Sequence, residues 1–162
     1  MRKLVITGCM LMLAAAPSAG LDVSATFAKI APSLKARVKI PVLLPSRLPA
    51  TFQGEKIYPI VDRATPLGYA VDIALAPDCQ GERACSEGFI YGSKSPLKSE
   101  DVPAGGTHVH LTNAIVALYH PSQAGAHTSD AYLSWKQNGA YYAIALNTGA
   151  LADIVLAARS MR

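Results

Sequence analysis

Apolar side chains alternate with small or polar ones along Tyr69-Ala70-Val71-Asp72-Ile73-Ala74-Leu75-Ala76. A period of two predicts a strand with Tyr69, Val71, Ile73 and Leu75 turned inward. The same alternation runs through Ala131 to Lys136 and Tyr141 to Leu146, which flank Gln137-Asn138-Gly139-Ala140. Asn-Gly between two such runs predicts a hairpin, because both turn residues tolerate positive φ. A two-residue turn sets the register, pairing Lys136 with Tyr141, Trp135 with Tyr142 and Leu133 with Ile144. Leu133, Trp135, Tyr142, Ile144 and Leu146 then share one face, with Tyr132, Lys136 and Tyr141 on the other.

Helical spacing appears at both ends of the body. Val23, Phe27, Ile30 and Leu34 recur at steps of four, three and four, predicting a helical segment over 22–38. Pro32 predicts a break or restart, with Ser33 as a cap. Leu151, Ile154, Val155, Ala158 and Met161 form the apolar stripe of a C-terminal helix. Thr148 is its expected N-cap, and Asp153, Arg159 and Arg162 are placed to suit the helix dipole.

Prolines punctuate what lies between. Pro41, Pro45 and Pro49 exclude both a helix and a central strand over 40–49 and predict an extended segment. Pro59 makes Lys56 to Arg63 an edge strand, and Thr65-Pro66-Leu67-Gly68 reads as a turn. Gly88 to Gly92 carries Phe89 and Tyr91 on one face, and 93–106 reads as a long loop. Together these elements predict one α+β domain over 21–162. Its antiparallel sheet of about five to seven strands packs against the C-terminal helix, with an N-terminal helical segment before the sheet.

Residues 1–20 read differently. Met1-Arg2-Lys3, an apolar stretch from Leu4 to Ala16, and then Pro17-Ser18-Ala19-Gly20 have the layout of a secretory signal peptide. Ser18 and Gly20 suit a cut after Gly20, and Ala16 and Ser18 suit one two residues earlier. Ile6-Thr7-Gly8-Cys9 has the residue types of a lipoprotein signal, but most of the apolar stretch would then follow the cut. Export removes Cys9 and leaves Cys79 and Cys85, which in an oxidising compartment are expected to form one disulfide. Five intervening residues match neither C-x-x-C nor ordinary zinc spacing.

Composition narrows the functional classes. With 51% hydrophobic and 16% charged residues the chain is not intrinsically disordered. A net charge of +4, part of it from Arg2 and Lys3 in the leader, does not describe a dedicated nucleic-acid binder. No apolar run reaches the roughly 20 residues of a membrane span, so no transmembrane segment is expected in the mature chain. No G-x-S-x-G, Walker, dinucleotide, EF-hand or H-E-x-x-H motif occurs.

Trp135-x-x-x-Gly139-x-x-Tyr142, followed by a short helix ending Ala157-Ala158-Arg159-Ser160-Met161, resembles the end of an uncharacterised bacterial cell-envelope domain. Pro41-Val42-Leu43-Leu44-Pro45 is similar to the entry of such domains. The resemblance covers 40–49 and 107–161. It implies an α+β domain outside the cytoplasm, binding or structural more often than catalytic, with no catalytic residues to carry over. The chain lacks the membrane anchor of many such proteins, which argues against a signalling role.

The expectation is therefore an exported, periplasmic or secreted protein without cofactor. It would serve as a non-catalytic binding or accessory protein for an envelope protein, an envelope surface or a small ligand. The alternative is a small periplasmic metal-binding protein or enzyme. Thr107-His108-Val109-His110-Leu111 predicts a strand with both histidines outward, and a return strand over Ile115 to Tyr119 would bring His120 near its start. Three imidazoles suit zinc or copper. His127-Thr128-Ser129-Asp130 groups hydrolase residue types but lies in one loop, whereas triads assemble from separate segments. Lys29, Lys35, Arg37, Lys39 and Arg47 make an acid-free basic stretch suited to a solvated face or to anionic headgroups. The Tyr132, Lys136 and Tyr141 face of the hairpin is either a contact surface or the seat of the N-terminal helix.

Overall fold

The computed structural model describes residues 20–82, 84–96, 106–122, 130–147 and 150–162. Residues 1–19 of the predicted 1–20 leader, Cys9 among them, together with Thr148, His127 and most of the 93–106 loop lie outside the described residues. The elements run β1 (Leu21–Asp22), α1 (Ser24–Ala28), α2 (Ala31–Arg37), β2 (Arg47–Leu48) and a 3₁₀ turn (Ala50–Phe52). They continue with β3 (Tyr58–Thr65), β4 (Gly68–Ala74), β5 (Ser86–Ser93), β6 (Thr107–His110), β7 (Val116–His120), β8 (Ala131–Gln137), β9 (Ala140–Leu146) and α3 (Leu151–Arg159).

A seven-stranded antiparallel sheet in the order β3-β4-β5-β9-β8-β7-β6 forms the body. It is two meanders, β3 to β5 and β6 to β9, joined where β5 pairs with β9. The chain leaving β5 must therefore reach the far edge of the sheet, four strand steps or about 19 Å away, before β6 begins. That span gives the long loop of the sequence its topological reason.

The hairpin register is the predicted one. Lys136 pairs with Tyr141, Trp135 with Tyr142 and Leu133 with Ile144. Asn138 at φ 50° and Gly139 at φ 76° make the turn. Pro59 lies in β3, an edge strand as expected, opposite Ile73.

Register divides the sheet into two faces. One carries Tyr69, Val71, Ile73, Ile90, Leu133, Trp135, Tyr142, Ile144 and Leu146, all buried in a single cluster with Phe27, Leu34, Leu48 and Ile154. Both N-terminal helices and α3 thus cover the same face, the Trp135 face. Tyr69, Gly92, Tyr142 and Trp135 form one cross-strand row on it. The bare Gly92 lets the Tyr69 ring lie across β5, because a Cβ there would come within 2.3 Å of that ring. The Tyr69 hydroxyl donates to Leu43 O at 2.8 Å and accepts from Leu43 N at 2.9 Å, while the Tyr142 hydroxyl donates to Pro41 O at 2.9 Å. These two phenols hold the proline-rich segment against the sheet and satisfy backbone groups that prolines leave without ladder partners. Desolvation raises both phenols above the ordinary tyrosine range, Tyr69 strongly.

The N-terminal helical segment restarts at Pro32, as the sequence allows. α1 ends at Ala28, and Pro32 stands in the first turn of α2, where its missing N–H costs no hydrogen bond. Ser33 does not cap; its hydroxyl donates to Ile30 O at 2.8 Å. In α3 the buried residues are Ile154, Ala157 and Ala158, whereas Leu151 is exposed at the sheet rim. Arg159 does more than complement the dipole. Its Nε and Nη2 donate to Leu111 O at 3.0 Å and His110 O at 2.8 Å, tying α3 to the end of β6. Met161 bridges to Pro45, so the chain end is zipped to the extended segment.

Candidate functional site

The second face of the sheet has no helix over it among the described residues. Its cross-strand rows run Ile60-Asp72-Phe89-Ala145-Tyr132-His120 and Ala70-Tyr91-Ala143-Ser134-Leu118-His108. Small residues recur in these rows. Ala143 and Ala145 are fully buried on this face. Short side chains at outward positions leave a trough above the backbone, and larger neighbours form its walls.

The trough opens into a cleft of about 660 Å³ lined by Ile60, Asp62, Ala70, Asp72, Cys79, Gln80, Gly81, Ser86, Phe89, Asp130 and Asn147. That volume lies within the range of small-molecule sites. One lip is the β4–β5 connection, where Cys79 and Cys85 form the predicted disulfide with Cα atoms 5.8 Å apart. Leu75 N donates to Cys85 O at 2.8 Å and closes the base of that loop. Asn147 pins the exit of that connection, its side-chain amide donating to Ser86 O at 2.7 Å and its backbone N–H to Glu87 O at 2.9 Å.

Asp72 sits at the floor of the cleft. Ser86 Oγ donates to its Oδ1, while Oδ2 is buried with no hydrogen-bond partner. In register Asp72 lies directly between Ile60 and Phe89, and Phe89 is 37% exposed. The same open face carries two intramolecular cation–π contacts, Arg63 over Tyr91 at 5.6 Å and Lys136 over Tyr141 at 5.3 Å.

The three histidines named from the sequence do share this face by register, yet they occupy unlike environments. His108 and His110 on β6 are exposed, whereas His120 is buried and stacked on Tyr132 with ring centroids 4.5 Å apart. Among the described residues no group of three or more His, Cys, Asp or Glu side chains is arranged to hold a metal ion. The N-terminal helices pack with Trp135 and Tyr142 and so do not seat on the Tyr132, Lys136 and Tyr141 side, where Tyr132 is buried and Lys136 exposed. The five cations Lys29, Lys35, Arg37, Lys39 and Arg47 are all exposed on the layer that covers the other face.

Sequence reasoning missed Asp72 as a site residue. It placed the residue on the outer face of β4, which is correct, but treated that face as solvated. The available signal was the run of alanines around it. Ala70 and Ala74 flank Asp72, and Ala143 and Ala145 face the same side two strands away. No helix of the described residues is long and apolar enough to cross a membrane. The chain matches no protein-family model, no curated protein and no solved structure, and its site is read from its own geometry.

Proposed function

We propose that the chain is an exported, non-catalytic protein of the bacterial cell envelope that holds a small ligand in the cleft on the open face of its sheet. The observation that carries the binding reading is the cleft itself, concave, framed by a disulfide lip and lined by Asp72, Ser86 and Phe89. Neither histidine nor free thiol lines it among the described residues, and the Ser86 hydroxyl donates a hydrogen bond to the Asp72 carboxylate with no imidazole beside the pair. This composition favours holding over nucleophilic chemistry. Export is supported by the disulfide, which persists in oxidising compartments, and by the charged, apolar and small-residue order of the first twenty residues. Leu21 and Asp22 pair with Leu48 and Arg47, so either expected cut leaves the body's first strand intact.

Fractionation of a bacterial host expressing the full chain, followed by mass spectrometry, tests the reading. The expected product is periplasmic, begins at Ala19 or Leu21, and resists alkylation until reductant is added. A cytoplasmic product that retains Met1 and has both Cys79 and Cys85 alkylatable without reductant would overturn it.

A further inference from the structure

We infer that the cleft is a site for an organic amine carried on an aromatic or apolar body. The inference rests on the cleft being a binding site and assigns the chemistry of its ligand.

Charge is the first support. Asp62, Asp72 and Asp130 line the cleft, and no lysine, arginine or histidine does so among the described residues. The protein as a whole is basic, at +4, with its acid-free basic stretch on the opposite layer. A cleft of one sign concentrates ligands of the other, all the more when its walls are of low dielectric.

The floor of the cleft supplies the second. Asp72 spends one oxygen on Ser86 and keeps the other buried without a donor. A buried acceptor without a partner is costly, and a ligand N–H placed there removes the deficit. An ammonium at that point stands between Phe89 and Ile60, the cross-strand neighbours of Asp72. The protein already sets cations on aromatic rings of this face, with Arg63 on Tyr91 and Lys136 on Tyr141. Phe89 is exposed, and among the described residues no cation of the chain stands over it. An amine ligand would complete the same pattern there through carboxylate pairing and cation–π contact. A bare metal ion fits less well, since the three carboxylates do not converge as a metal-holding group.

The test is a titration of the ¹⁵N-labelled, oxidised mature protein with two pairs of probes that share an aromatic body and two-carbon arm and end in an ammonium or a carboxylate. Tryptamine is matched with indole-3-propionate, and phenethylamine with 3-phenylpropionate. The expected result is that the amines move the amide signals of Ile60, Asp72, Phe89 and Asn147 and bind at least about tenfold more tightly than their carboxylate partners. Asp72→Asn should weaken the amines by about tenfold and leave the carboxylates unaffected. Phe89→Ala, at an exposed position, should weaken the amines severalfold and keeps the test decisive if the Asp72 variant folds poorly. Equal or tighter binding of the carboxylates at these residues overturns the amine assignment while leaving the cleft a binding site. Failure of all four probes to move the cleft signals overturns the amine assignment. If a broad fragment set also leaves these signals unmoved, the binding reading of the cleft falls with it.

Discussion

The two faces of one sheet are built from the same strands and differ in almost every physical respect. On the covered face Tyr69, Leu133, Tyr142, Ile144 and Leu146 are shielded by α1, α2, α3 and the proline-rich segment. Large side chains fill the space, and even the phenol hydroxyls are used to hold backbone. The open face sets alanines beside Asp72, Phe89 and Tyr91, leaves a cleft, and keeps a carboxylate oxygen without a donor. A protein that needed only stability would have filled that trough with branched aliphatics. Stability is concentrated on one side, and the side freed from that task has room for a ligand.

Substitutions that treat the two faces differently should separate these roles. The largest contrast is between Ile144→Ala on the covered face and Phe89→Ala on the open one. The first should cost about 2–5 kcal/mol, since Ile144 is fully buried, and the second no more than about 0.5 kcal/mol. Urea denaturation of both variants checks the difference. A smaller effect is expected at the lip of the cleft. Replacing both Cys79 and Cys85 by serine should lower stability by about 2 kcal/mol, the chain-entropy value for so short a loop, with the covered face spectroscopically unchanged.

Tyr69→Phe should cost about 1–2 kcal/mol at neutral pH, because it deletes both hydrogen bonds to Leu43. It should also change the alkaline limb. Burial raises the folded-state phenol above its ordinary value of 10.0, so the native state keeps a proton that the unfolded chain loses. That contribution is fully present below about pH 10 and is lost as pH rises beyond it. The variant should show a shallower alkaline fall, with the remainder due to groups such as Tyr142, whose phenol is raised by the same cause. Unfolding measured from pH 8 to 11 reads both parts. The smallest effect belongs to Asp72→Asn. It retains an acceptor for Ser86 and ends the burial of a charged oxygen, so stability should change by less than about 0.5 kcal/mol, as a thermal melt would show.

The sequence made some parts of this comparison legible and hid others for physical reasons. The β8–β9 hairpin was readable to the residue, because Asn138-Gly139 fixes the turn and a one-residue slip would expose Trp135. Pro59 announced an edge strand by its missing donor, and Cys79 and Cys85 announced their bridge. Pro32 marked the restart of the helix, because proline is tolerated in a first turn, whereas the end of α1 at Ala28 carries no comparable signal. Asp72 escaped notice because alternation tells which side of a strand a residue faces but not what covers that side. The stack of His120 on Tyr132 was not legible either, because it comes from strand pairing across β7 and β8, which local pattern does not contain.

The central claim is that the Trp135 face is sealed while the opposite face opens to solvent at the Asp72–Phe89 cleft, and solvent paramagnetic relaxation tests it most directly. A neutral gadolinium chelate added to the mature protein should strongly broaden side-chain signals of Phe89 and Lys136, and leave those of Tyr69, Tyr142 and Ile144 sharp. Equal protection of Phe89 and Ile144 would contradict the account, because the cleft would then be filled by the protein itself.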